Sequence, residues 1–447
     1  MTLMAATVLV SAASGAQEKP ATTPAPQPAA TAQQPAATAQ QSAATAPQPA
    51  ATAPQPKVDR LSFCEWAPKC LVLVGPERKN VLDPYVQEVK LNLRAQYQIG
   101  AVDPAGGGNR VKGGANGNGR RSNDEWRRFR LGAQAKVFHD IKLLANWNVG
   151  GLNTRDAYSD GSWDRTTSTA QLDELYAQVK INPVTLTLGK FKPAFMGEYR
   201  TSSANILTFE RSLPVNQLKA EKTWGVSLKN ADSKAAFGWE AGVWLNGLHE
   251  GVWMEPAFNS KDNATFGASV SYKLNDENRL YLDYMHSFAK EDQLLHYNGP
   301  GARDVVALTL DSKYGDLSVM TEALAGFNTI GLDKKKGAGA QNVFGFTVLP
   351  SYKFTPHWEG VMRYQISAGS NAVKGDGHFY TQNSTYSSVC DLTQGVYAGI
   401  NYYVCPKNPH PMKLMLGVEY LNSHGRDAAG GKGFTGWQYC AGVRVNF

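Results

Sequence analysis

Arg128 and Arg130 stand two apart in Trp126-Arg127-Arg128-Phe129-Arg130-Leu131, a spacing that puts both guanidinium groups on one face of a strand and gives Phe129 and Leu131 the other. A planar guanidinium binds phosphate or carboxylate in bidentate fashion, so two on one face can hold an anion. Arg94, Lys136 and Lys142 fall on the same polar phase of neighbouring runs, and rings of Arg and Lys are how water-filled pores favour anions. The competing reading is that these charges solvate an internal wall and pair with carboxylates such as Glu174. By strict alternation Arg127 points to the opposite face, unless a bulge turns it inward.

Such a polar face has to be carried by strands. In Val89 to Ile99 the odd positions Val89, Leu91, Leu93, Ala95, Tyr97 and Ile99 are apolar and the even ones polar. The last run repeats this, with Trp437, Tyr439, Ala441, Val443, Val445 and the terminal Phe447 on one phase. Between them the same pattern predicts strands near 126–138, 141–150, 171–182, 184–192, 222–230, 236–246, 264–274, 278–288, 303–313, 316–327, 342–353, 358–368, 392–404 and 412–423, sixteen in all. Connections alternate strictly between short ones, such as His139-Asp140 and Asn182-Pro183, and long ones, such as 100–125, 193–221 and 369–391. Short turns on one side and long loops on the other mark a membrane barrel. Trp126, Tyr352, Trp358, Tyr402, Tyr420, Trp437 and Tyr439 near run ends suit interfacial girdles. No apolar run reaches the roughly 18 residues that a transmembrane helix needs. The expected fold is an all-β, transmembrane, antiparallel up-and-down barrel over 85–447, with the loop about 193–221 folded inward. Pro193, Gly197, Glu198, Arg200, Thr201, Ser202, Ser203, Glu210 and Arg211 of that loop then help to define the narrowest point.

The remaining composition bounds the partners. A net charge of +7 over 447 residues, scattered rather than blocked, argues against nucleic acid. Residues 1–16 read as an export signal whose basic start is missing. Residues 17–57 are a Pro/Ala/Thr/Gln-rich spacer with a seven-residue repeat, and 58–84 a short periplasmic segment. An even strand count brings both chain ends to the periplasmic side, which predicts residence in a Gram-negative outer membrane. Among five cysteines, Cys64 and Cys70 are close enough to close a small disulfide loop or to remain as two thiols. Cys390 and Cys405 sit at opposite ends of one strand and cannot pair with each other. Neither metal nor cofactor is expected.

Trp126 to Gly132, Leu172-Asp173-Glu174-Leu175-Tyr176, Leu188-Gly189-Lys190-Phe191-Lys192, and Thr201-Ser202-Ser203 followed by Glu210-Arg211-Ser212-Leu213 together resemble the phosphate-selective porins over roughly 86–230. The resemblance implies a sixteen-stranded, typically trimeric outer-membrane channel. It places Arg94, Arg127 and Arg128 on anion-meeting arginines and Asp173 on the constriction carboxylate. Where the family has pore lysines, this chain offers Thr187 and Glu198-Tyr199-Arg200. Lys190, Lys192 and Arg200 can then replace them only if their side chains reach the lumen. The resulting expectation is passive diffusion of small hydrophilic solutes with anion preference, phosphate-like anions included. The barrel would be embedded among outer-membrane lipid and lipopolysaccharide. The alternative is an anchor or adhesin barrel whose spacer 17–57 grips the cell wall. A barrel enzyme built on Asp283, His286 and Ser287 is disfavoured, because adjacent strand residues face opposite ways.

Overall fold

The computed structural model describes residues 62–66, 69, 71–75, 85–104, 121–149, 156–157, 163–164, 171–232, 235–246, 263–288, 299–329, 341–374, 389–407, 411–424 and 434–447. The export signal 1–16 and the spacer 17–57 lie outside these residues. A helical turn α1 (Phe63–Trp66) and a short strand β1 (Val72–Val74) precede β2 (Val86–Pro104), β3 (Arg121–Val137) and β4 (Ile141–Asn148). A small hairpin, β5 (Asp156–Ala157) and β6 (Trp163–Asp164), leads to β7 (Gln171–Ile181) and β8 (Val184–Phe191). Helices α2 (Gly197–Arg200) and α3 (Leu213–Leu218) follow before β9 (Thr223–Asn230), β10 (Phe237–Asn246), β11 (Asn263–Lys273) and β12 (Asn278–Ser287). The chain continues through β13 (Asp304–Tyr314), β14 (Leu317–Thr329), β15 (Gln341–Lys353) and β16 (Trp358–Lys374). It ends with β17 (Val389–Tyr403), β18 (Met412–His424) and β19 (Thr435–Asn446).

Strands β2 to β4 and β7 to β19 pair antiparallel in sequence order, and β19 returns to β2, from Gly436↔Pro104 to Asn446↔Arg94. The sheet is a closed barrel of sixteen strands. Closure removes the free edges whose unpaired N–H and C=O groups hydrocarbon does not tolerate. All sixteen strands fall where alternation put them, but several run longer. β2 extends to Pro104, β3 starts at Arg121, β16 reaches Lys374 and β17 starts at Val389. The added residues, such as Gly100 to Pro104 and Arg121 to Glu125, continue the pairing without a clear apolar and polar alternation, so the pattern carries no signal there. On β18, Leu414 and Leu416 face outward and are exposed, whereas Lys413 and Met415 are buried inside. Tyr352, Trp358, Trp437 and Tyr439 stay exposed on the outer face, as an interfacial girdle requires.

At the seam, β2 begins before its partner β19 ends, leaving Val86 to Asn92 without that neighbour. β1 takes the vacant place, with Val72 opposite Lys90 and the Leu91 N–H donating to the Leu71 carbonyl. Phe63 of α1 packs edge-on against the terminal Phe447 ring at 6.3 Å.

Here the sequence expectation for the cysteines is overturned. Cys64 is bonded not to Cys70 but to Cys405, just past β17, with Cα atoms 5.3 Å apart. The paired residues are 341 positions apart in the chain, so the bond clasps the N-terminal segment to the β17–β18 turn rather than closing a local loop. Cys70 lies outside the described residues; Cys390 and Cys440 form no disulfide among those described, and the Cys390 thiol meets the Val373 carbonyl and the Thr393 hydroxyl. Proteolytic mapping without reductant is expected to recover the Cys64 and Cys405 peptides as one linked pair. A linked Cys64 and Cys70 peptide would restore the local loop.

Candidate functional site

Two bulges set the charge of the lumen. β2 and β3 run in register with Gln96 opposite Arg128 and Tyr97 opposite Trp126, so Arg127 is the extra residue. Trp126 points outward, while Arg127 turns inward and grips Glu210 with two bonds, Nε to Oε1 at 2.5 Å and Nη2 to Oε2 at 3.1 Å. Arg128 and Arg130 keep the inward phase, and Arg128 donates to Gln96 Oε1 at 2.9 Å. The same device recurs between β4 and β7, where Asn146 faces Glu174 but Trp147 faces Leu172. Asp173 is therefore the inserted residue, and both Asp173 and Glu174 serve the interior. Asp173 meets Arg130 at 3.2 Å and Lys222 at 2.5 Å, and Glu174 meets Lys222 at 3.3 Å.

The segment between β8 and β9, residues 192–222, folds into the barrel and is tied down all along its length. Asp283 on β12 accepts the Met196 N–H at 2.7 Å, and Glu322 on β14 accepts those of Gly197 and Glu198. These are the free amides of the first turn of α2, which an anionic partner satisfies. Further round the wall, Asn401 donates to the Leu207 carbonyl and Lys413 to that of Ile206. Arg444 donates to the carbonyls of Ile206, Thr208 and Phe209. Arg363 reaches Glu198 at 3.4 Å, Glu419 at 2.9 Å and the Glu210 carbonyl at 2.7 Å. Apolar side chains complete the dock, with Phe195, Met196, Val215 and Leu218 buried against Trp244, Met285 and Leu324.

Because so much of the loop is held by β11 to β19, its charged residues meet those of β2, β3 and β7 on the other side. Arg94 donates to Ser203 Oγ at 2.9 Å and to Asn446 Oδ1 at 3.2 Å, and Gln96 to the Ser203 carbonyl. The buried Tyr199 ring is surrounded by Lys192, Arg211 and Lys219 at 5.1, 5.1 and 5.2 Å from its centre. Lys219 also pairs with Glu221. Arg94, Lys192 and Arg211 instead bond to hydroxyl, amide or carbonyl groups, which leaves their charge uncancelled at these contacts. Burial, then Arg211 and Lys222, push the Lys192 ammonium down to about 7, while the three carbonyls of Tyr199, Arg200 and Thr201 that it faces favour the charged form. Burial raises the Tyr199 phenol, so the ring stays neutral beside its cations.

Of the residues chosen from sequence, Arg94, Arg130 and Asp173 come together at this constriction, and Arg127 and Arg128 stand beside it through Glu210 and Gln96. Lys192 is spent on holding the end of α2. Arg200 crosses to the far wall, where it pairs with Asp283 at 2.7 Å and stacks 4.0 Å over Tyr281. Lys190 shares the phase of the exposed Leu188 and lies opposite Leu175 and Trp224, on the outward face, so it does not reach the lumen. Asp283 and Ser287 are buried within, while His286 faces outward and contacts Asp304 at 2.7 Å. Lys222, Lys219 and Tyr199 were not singled out beforehand. They lie in a loop whose path the strand pattern does not specify.

The family model for phosphate-selective porins O and P matches residues 89–296, the part of the barrel that carries this constriction and its loop. Among solved structures, the anion-selective porin from Comamonas acidovorans superposes with a TM-score of 0.52 at 12% identity, covering 80% of this chain and 99% of its own. The outer membrane channel DcaP of Acinetobacter baumannii gives a TM-score of 0.53 at 11% identity over 84% and 100%. OprB of Pseudomonas putida gives 0.53 at 12% over 83% and 96%. At such identities the likeness shows the fold alone. No curated protein matches the sequence. Family match and barrel together point to a porin channel rather than an enzyme.

Proposed function

We propose that this chain, whose barrel matches the phosphate-selective porins O and P over residues 89–296, is a Gram-negative outer-membrane diffusion channel with a preference for small anions, phosphate-like ones included. The observation that carries the reading is the excess of positive charge where the loop meets β2, β3 and β7. Arg94, Arg130, Lys192, Arg211 and Lys222 gather there with Asp173 and Glu174. Lys222 and Arg130 answer the two carboxylates, while Arg94 and Arg211 are held by neutral groups and keep an attractive potential for a passing anion. Neutral holders also fix the cations in place without cancelling them. Three barrels assembled as a homotrimer, as the family resemblance implies, would give parallel pathways.

Zero-current potentials across planar bilayers under a salt gradient test the reading. The expected sign is that of a chloride- and phosphate-preferring pore. A cation-preferring potential would overturn the anionic part and leave the channel itself standing.

A further inference from the structure

Under the inward loop, Asn205 to Thr208 and the ends of β13 to β18 that border the short turns enclose a cavity of about 410 Å³. That volume lies in the range of small-molecule sites, roughly 300–1,000 Å³. The strands that line it are not those that carry Arg94, Arg130 and Asp173. Lys313 on β13, Asp316 in the turn that follows, Lys353 on β15, Glu359 on β16 and Lys413 on β18 follow one another round the lining, so the wall alternates in sign, and Glu198 of the loop adds a further carboxylate. Lys353 is directly opposite Glu359 across β15 and β16, and Lys413 directly opposite Tyr403 across β17 and β18.

Two of these charges are buried with bonding capacity to spare. Glu359 is 4% exposed and Lys413 3%. One carboxylate oxygen of Glu359 accepts the Tyr403 hydroxyl, and among the described residues the other has no partner. The Lys413 ammonium gives one of its three hydrogens to the Ile206 carbonyl at 2.6 Å. Lys413 feels Arg444 as a like charge and the Glu359 carboxylate as an opposite one, so Lys413 and Glu359 answer each other in part while their spare hydrogen-bonding positions border the cavity. A simple anion would answer Lys413 and Lys353 but face Glu359, and a simple cation would do the reverse. Met320 and Leu349 add an apolar strip to the same lining.

We infer that this cavity is a docking site for a zwitterionic solute with an apolar side chain, an α-amino acid such as leucine. The ammonium of the solute meets Glu359, its carboxylate meets Lys353 and Lys413, and its side chain lies along Met320 and Leu349. The inference goes beyond the anion preference of the constriction, since equilibrium binding here needs no ion current.

Calorimetric titration of the folded, detergent-solubilised full chain tests it, with leucine, isovalerate and isopentylamine as probes. The last two each lack one of the charges of leucine. Leucine is expected to bind about tenfold more tightly than either, the worth of one charged hydrogen bond. E359Q and K353Q are each expected to weaken leucine about tenfold and to leave the zero-current potential of the channel unchanged. No saturable leucine binding, isovalerate binding as well as leucine, or unaltered affinity in both variants would overturn the site. A cation-preferring potential with leucine binding intact would instead remove only the reading of the constriction.

Discussion

Replacing Arg363 with alanine is expected to raise and destabilise the single-channel current, because this one side chain joins the inward loop to the wall at three points and is itself braced by a fourth contact within the wall. Its guanidinium is 2% exposed and contacts Glu198, Thr208 and the Glu210 carbonyl through Nη1 and Glu419 through Nη2. Removing it leaves the buried Glu198 carboxylate with the Ser212 N–H and without its counter-charge, and leaves Glu419 facing the lumen with Gln365 as its remaining partner among the described residues. Loss of one member of a buried charge pair costs about 3–5 kcal/mol where water cannot enter, and less where the lumen lets water in. That cost falls on the docked position of residues 198–210, not on the barrel, whose strand ladders do not pass through Arg363's side chain. The variant is expected to keep the slow gel mobility change on heating of a folded barrel while its conductance rises and grows noisier. Arg363→Lys restores a point charge without the fork and is expected to lie between the two. Identical conductance and noise in wild type and R363A would mean that the loop does not set the narrowest point.

The barrel was legible because its code is local. A period of two over about ten residues marks a strand with oil on one side and water on the other, whatever the neighbouring strands are. Local reading stops where geometry is set by residues far away. Arg127 shows this: alternation alone sends it outward, and only the slipped register against Tyr97 and the waiting Glu210 turn it in. Asp173 is the same case on β7, where the slipped register between Asn146 and Trp147 turns it inward to Arg130 and Lys222. Lys190 is the converse: the sequence reading keeps it among the pore candidates, although it shares the phase of Leu186 and Leu188, and the strand carries it on the outward face. The partner of Cys64 had no local signal at all. Spacing offered the near cysteine or no partner at all, and the actual one is brought close only when the last strands close on the first. The loop's dock was similarly hidden, because Asn401, Lys413 and Arg444 look like ordinary lumen-phase residues until carbonyls of 206–209 arrive beside them.

Charge reversal at Arg94 is expected to turn the channel from anion to cation preference. Arg94 is half-buried on β2, feels Arg130 and Arg211 as like charges and Glu174 and Asp173 as opposite ones, and bonds only neutral Ser203 and Asn446. R94E adds a third carboxylate beside Asp173 and Glu174 and removes an uncancelled cation, a change of two unit charges. At about 4 Å in water each unit is worth about 1 kcal/mol, so the two together shift the balance for a passing monovalent ion by about tenfold or more. The fold should survive, since the backbone of Arg94 remains paired with Asn446 and Arg130 and its side chain already borders water. Screening makes the shift larger in 0.1 M than in 1 M salt, because the Debye length falls from about 10 Å to about 3 Å between them. Arg94→Gln should show about half the displacement of the zero-current potential that R94E shows. A potential indifferent to both substitutions at low salt would mean that ions pass out of reach of Arg94, and the constriction would have to be sought elsewhere along the loop.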